Sequence, residues 1–258
     1  MDTPSRAQAL RDLHTAPELL TVVNVWDVVS ATTVAAVPGT RALATASHSI
    51  AATFGYPDGE RIPLATMIDM VGRIAAAVEL PVSADLEAGY GDAGETIRRA
   101  IGVGIVGANL EDQLKPRGEA VAAVEAAVRA AETEGVPFAL NARTDAFLRM
   151  GDADTDTKVA EAVARGRAFL DAGATSVFVP GLLDEGVVAA LVAGLGPHRL
   201  SVIGVPGSLP PSRLQELGVA RVSYGPWSQR VVLHALQRLA DELTNRDGVL
   251  PRETPALT

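Results

Sequence analysis

PVSADLEAGYGDAGETIRRAIGVGIVGANLEDQ, residues 81 to 113, reads as strand, helix, strand. An apolar run after Pro81 ends in Asp85 and Glu87, and a second run from Gly107 ends in Glu111, Asp112 and Gln113. Side chains two apart in a strand share a face, so Asp85 and Glu87 are expected to point the same way. Two carboxylates on one face repel unless a cation, a proton or solvent intervenes. Alone, such a pair would be a solvated strand end, so the rest of the chain has to decide. Within the stretch, GVGIVG (102–107) has the G-x-G-x-x-G spacing of dinucleotide-binding loops. That motif must follow a strand and open a helix. Here it follows a helix and leads into a strand, so it is an αβ connection.

The same unit repeats along the chain. Short β-type runs begin at Leu19, Arg41, Pro81, Gly107, Pro137, Thr175, Arg199 and Val219. Between them lie helical patterns such as LATMIDMVGRIAAAVEL (64–80), GEAVAAVEAAVRAAETEG (118–135) and KVAEAVARGRAFLDAGA (158–174). Their apolar residues recur at three- and four-residue spacing, and Gly135 and Gly218 sit where a helix C-cap is expected. Eight strand–helix repeats in 258 residues predict a parallel α/β fold, a (β/α)8 TIM barrel, with an open doubly wound sheet as the runner-up. No linker interrupts the pattern, so residues 1–258 are expected to form one domain. An N-terminal helix is expected over 1–18, the barrel core over about 19–242, and a loose polar tail over 245–258. The last helix, SQRVVLHALQRLADEL (228–243), carries more apolar positions than an outer barrel helix usually needs. It has either a broad core face or a face that packs on a second subunit.

Bulk composition narrows the function. The net charge of −9 has the wrong sign for a nucleic-acid partner. The chain has no cysteine, which removes disulfides, thiolate metal sites and a cysteine nucleophile together. No apolar signal core or membrane-spanning run is present, so a cytoplasmic protein with no membrane partner is expected.

In a barrel the active site lies at the C-terminal ends of the strands, and the ionisable residues gather there, over the runs at 81, 107 and 137. Asp85, Glu87 and Glu111 are hard oxygen ligands that suit Mg²⁺, or Mn²⁺, rather than zinc. Arg143 offers a planar fork for a substrate carboxylate or phosphate, or else forms an ion pair with Asp145 or Glu111. A cation beside an arginine implies an anionic substrate.

The segments NVWD (24–27), TASHSIAATFGYPDGE (45–60), SADLEAGYGD (83–92), GANLEDQ (107–113) and NARTDAF (141–147), in this order and spacing, resemble the isocitrate lyase/phosphoenolpyruvate mutase superfamily. The resemblance implies a Mg²⁺-dependent (β/α)8 barrel, a dimer or tetramer whose C-terminal helices exchange between subunits. It also implies chemistry beside the carboxylate of small 2-oxo or 2-hydroxy acids through enolates. Carried over by position, Asp85, Glu87 and Glu111 become metal acids. Asp58, Arg143 and Lys115 become catalytic candidates, and Trp26, Thr45, Ser47, His48, Arg143 and Ser201 substrate contacts.

The departures are as informative. Isocitrate and methylisocitrate lyases carry an acid/base cysteine in a loop after the fourth strand, whereas EDQLKPRGEAV (111–121) has neither Cys nor His. Only Lys115 and Arg117 remain there, Ser201 stands where some members have Asn, and His48 replaces a small Gly. The sequence therefore predicts a C–C lyase or decarboxylase that is not a true isocitrate lyase. The alternatives are a P–C phosphonomutase, and a metal and carboxylate binder without efficient catalysis. Residues 113–120 are expected to form a loop, read either as a lid that closes over bound anion or as a static surface segment.

Overall fold

The computed structural model describes residues 2–253. Parallel strands form one sheet that closes on itself. Its first strand is broken at Val23 into β1 (Leu20–Val22) and β2 (Asn24–Val25). The others are β3 (Leu43–Thr45), β4 (Val82–Asp85), β5 (Gly107–Glu111), β6 (Ala139–Arg143), β7 (Ser176–Val179), β8 (Leu200–Ile203) and β9 (Arg221–Ser223). β1 pairs with β9 and β2 with β3, so the two halves of the first strand complete the barrel. The expected (β/α)8 fold is the observed one.

Helix α1 (Thr3–Thr15) precedes the barrel. The crossovers are α2 (Val28–Ala35), α3 (Ser47–Thr53) with α4 (Leu64–Ala76), α5 (Ala93–Gly102), α6 (Arg117–Thr133), α7 (Ala146–Arg149) with α8 (Thr155–Asp171), α9 (Glu185–Leu195) and α10 (Pro211–Glu216). The last helix is α11 (Trp227–Asn245). Local chemistry sets these bounds. Asp27, Asp92, Asp154 and Asp184 each accept a backbone N–H at a helix start. Gly135 and Gly218 follow helix ends at φ +65° and +83°, conformations that favour glycine. Helix α4 ends at Ala76 with Ala77 as its C-cap, short of the expected Leu80, which Pro81 keeps out of helical geometry. The 102–107 segment is the α5-to-β5 connection, as its order requires.

α1 plugs one end of the barrel. Its Leu10 lies so near Gly107 that a Cβ there would come within 2.7 Å of Leu10 Cδ2. His14 of α1 is fully buried 3.3 Å from Arg221 of β9, which reaches across the interior toward Ser83 of β4. Burial drives the His14 imidazole down to about 3, so this junction holds a neutral ring against the arginine. Further up, Asn141 donates to Asn109 and accepts from Ser176, a polar layer under the opposite, open end.

α11 behaves unlike the other long helices. Gln229 is its one buried residue, while Val231, Val232, Leu233 and Leu236 are more than half exposed. Within this chain the apolar surface is not a core face. Of the expected loose tail, residue 245 still belongs to α11, and 254–258 lie outside the described residues. No helix among the described residues is long and apolar enough to cross a membrane.

Candidate active site

The open end of the barrel holds a cavity of about 260 Å³. One wall is polar: Asn24, Ser47, His48, Asp58, Asp85, Asn109 and Arg143. The other is apolar, with Leu148, Phe178, Leu182, Ile203 and Val205. The polar wall is built by strand ends and by the helix that follows β3. Thr45 ends β3 fully buried, and its Oγ1 accepts the Asp85 N–H at 3.1 Å, which sets the end of β4. Ser47 opens α3, and its hydroxyl donates to Asp85 Oδ2 at 2.7 Å. One turn of chemistry thus ties two crossovers together.

His48 follows on the same helical turn, with Nδ1 3.6 Å from Asp58 Oδ2. Asp58 comes from the loop between α3 and α4. Asn24 and Asn109, which sequence reading passed over as site residues, line the floor. Asn24 Oδ1 accepts the backbone N–H groups of Tyr224 and Gly225, and this fixes the turn after β9. Their signal lay in the two-residue period, since a carboxamide on an inward strand position must find partners inside the barrel.

The acids do not all face this cavity. β4 ends at Asp85, and Glu87 lies beyond it at φ +52°, so the alternation expected of the pair stops there. Glu87 is buried, accepting from the Glu60 backbone N–H and from the Tyr90 hydroxyl. Burial pushes its carboxyl up to about 7, and the neighbouring Asp85 and Asp58 push the same way.

Glu111 sits at the end of β5, 2.8 Å from Arg143 Nη1. Burial pushes Glu111 up to about 7 despite Arg143, with Asp145 and Asp85 adding to the rise. Burial works against the Arg143 charge, but Glu111, Asp145 and Asp85 outweigh it and its pKa stays raised. Among the described residues no three His, Cys, Asp or Glu side chains gather as a ready-made metal cage.

Glu111 and Lys115 line a second cavity of about 340 Å³ between α5 and α6. Arg143 forms part of the wall of both cavities. Lys115 therefore stands away from His48 and Asp58. Trp26 packs against the main apolar cluster, outside the lining of the mouth. Ser201 is buried in β8 one inward position below Ile203, its hydroxyl without a hydrogen-bond partner.

The expected loop at 113–120 is shorter than its sequence implied. Gln113 and Leu114 turn through φ +49° and +55°, and α6 begins at Arg117, so residues 117–120 are helical. The turn is also pinned. Asp112 accepts the backbone N–H groups of Leu114 and Asp145, and Arg165 donates to both Asp112 and the Lys115 carbonyl.

Comparison with known proteins matches this geometry. The sequence profile of phosphoenolpyruvate phosphomutase matches residues 10–244. The uncharacterized protein Rv1998c of Mycobacterium tuberculosis is 31% identical over 248 residues, 96% of this chain and 93% of that one. A provisionally named phosphonomutase from Burkholderia cenocepacia superposes with a TM-score of 0.87 at 37% identity, covering 93% of this chain and 99% of that one. Oxaloacetate acetylhydrolase in complex with its product oxalate superposes with a TM-score of 0.86 at 28% identity, over 98% and 93% of the two chains.

Proposed function

The chain belongs to the phosphoenolpyruvate phosphomutase family, within the isocitrate lyase/phosphoenolpyruvate mutase superfamily, and from that premise we propose that it is a Mg²⁺-dependent C–C lyase or decarboxylase. Its substrate is a small 2-oxo or 2-hydroxy carboxylate, cleaved through an enolate. The observation that carries this reading is the mouth cavity, where His48, Asp58, Asp85 and Arg143 share about 260 Å³. That is room for a small dicarboxylate. The likeness to an oxaloacetate acetylhydrolase that holds oxalate supports the same substrate class.

The donor set fits Mg²⁺, which takes one or two carboxylates and usually keeps several waters. Asp85 lines the cavity and would bind directly, its Oδ2 already steadied by Ser47. Glu87 and Glu111 would hold the ion through water; burial is the main cause that raises both carboxyls, and the repulsion from Asp85 that adds to it is what a nearby divalent cation would relieve. Mn²⁺ suits the same oxygens. When bound, the ion supplies Lewis-acid polarisation of the substrate's 2-oxo group.

The chain's own residues do the rest. Ser47 orients Asp85 through two N–H and O–H donors. Arg143, on the shared wall, grips a substrate carboxylate with the guanidinium N–H groups left free by Glu111 and Asp145. Buried Phe178 gives the opposite side an apolar surface, which strengthens those charge contacts. Association through the exposed apolar face of α11, giving a dimer or tetramer, belongs to the same proposal. A phosphonomutase is the second reading, favoured by the 37% identity to the Burkholderia protein.

Incubation with oxaloacetate, phosphoenolpyruvate, isocitrate and substituted malates in the presence of Mg²⁺ separates these readings. EDTA-sensitive release of carbon dioxide or a small oxo acid supports the lyase. A phosphonate product would establish the second reading instead, and no turnover of any of these acids contradicts both.

A further inference from the structure

We propose that His48 exchanges the proton with the substrate carbon next to the 2-oxo group, and that Asp58 is its positioning residue. An enolate becomes product only when that carbon is protonated. No cysteine exists anywhere in the chain to do it. Lys115 lines the other cavity, and an arginine such as Arg143 does not release a proton. His48 is the one histidine in the lining of the mouth, and imidazole gives and takes protons near neutral pH.

The geometry gives the ring a direction. Nδ1 faces Asp58 Oδ2 at 3.6 Å, so an Nδ1–H pointed at that carboxylate leaves Nε2 for the cavity. Catalytic contacts of this kind are often long before substrate binds. The backbone beneath the ring is fixed, because the preceding residue, Ser47, is held to Asp85 by two hydrogen bonds. The His48 side chain is 41% exposed, so water can restore its proton between turnovers.

The step balances on a 2-oxo acid such as oxaloacetate. The C3–C4 bond breaks, carbon dioxide leaves, and the electron pair remains on the three-carbon enolate. The protonated ring gives its Nε2 proton to C3, a C–H bond forms, and the neutral ring is reprotonated by water. Run backward on a 2-oxo acid without the leaving carboxylate, neutral Nε2 removes a C3 proton and generates the same enolate.

This assignment rests on the enolate-forming reading of the site, but it can be tested apart from cleavage. With Mg²⁺ in D₂O, proton NMR follows the two C3 hydrogens of 2-oxobutyrate. A single fixed base predicts exchange of one of the two, and H48Q should slow it by about 10²–10⁴-fold. Asp58→Asn should slow it less, and the rise in melting temperature with Mg²⁺, which runs through Asp85, should be retained in both variants. Exchange of both hydrogens at equal rates, exchange undiminished in H48Q, or no exchange by the unmodified protein would overturn the assignment. Oxaloacetate turnover without one-sided exchange would leave the lyase reading standing and remove His48. His48-dependent exchange without oxaloacetate turnover would do the reverse.

Discussion

The Ser47 hydroxyl and backbone N–H both donate to Asp85 Oδ2, at 2.7 and 3.2 Å, and so join the start of α3 to the end of β4. One oxygen of a carboxylate on the cavity wall is thereby fixed. If Asp85 is the direct cation ligand, Mg²⁺ should raise the melting temperature by mass action. Asp85→Asn should lose most of that rise. Ser47→Ala removes a hydrogen bond of about 1 kcal/mol and should need about fivefold more Mg²⁺ for the same rise. Responses unchanged in Asp85→Asn, Glu87→Gln and Glu111→Gln would remove the cation site.

Glu87 and Glu111 are both raised by burial to about 7 from the ordinary 4.5. Between those values the folded state holds more protons than the unfolded chain, so stability falls as pH rises. Without divalent cations the melting temperature should therefore decline from about pH 4.5 to about pH 7 through these two groups. Mg²⁺ competes with those protons, so its stabilising effect should be larger at pH 8 than at pH 5.5. In Glu87→Gln the metal-free decline should be shallower. A decline identical in Glu87→Gln and Glu111→Gln would assign it to other groups.

Arg143 is held by Glu111 and Asp145, and Asp145 is fully buried. Arg143→Met leaves Glu111 without its cation and Asp145 with Arg149 alone, and breaking such a network typically costs about 3–5 kcal/mol. Chemical denaturation should show that loss, with Arg143→Lys intermediate because a point charge cannot serve both carboxylates as a fork does. A change below about 1 kcal/mol would mean the pairs are exchanged for water at little cost.

The turn at 113–116 is held from below by Asp112 and Arg165. We expect the amides of Leu114 and Lys115, both of which donate to Asp112, to exchange hydrogen slowly and at equal rates with and without oxalate and Mg²⁺. Arg165→Met should speed them. Protection that appears only with ligand would instead identify a closing lid.

The barrel was legible because each unit carries its own punctuation. Aspartate caps, Pro81 and the glycines after helices mark every crossover locally, and local marks survive tertiary packing. Ser47, His48 and Asp58, each carried over by resemblance, lie together because α3 and the loop after it keep near neighbours in sequence close in space. The face of Glu87 was not. Strand alternation ends with the strand, and the left-handed turn at Glu87 is fixed by Glu60 and Tyr90 from outside the run. Lys115 left the mouth for a similar reason, carried off by the turn at Gln113 and Leu114. Ser201 kept its inward face but lies too deep, a depth that sequence period alone does not encode.

Under the proposed function, this site makes an enolate from a 2-oxo acid without the thiol that isocitrate cleavage uses in the lyases the chain resembles. A steady-state comparison of oxaloacetate and isocitrate at saturating Mg²⁺ tests it directly. A positioned acid contributes about 10²–10⁴-fold, so kcat/KM for oxaloacetate should exceed that for isocitrate by at least about two orders of magnitude, with both activities lost in EDTA. Efficient glyoxylate release from isocitrate, or no turnover of oxaloacetate, would contradict enolate formation at a thiol-free site.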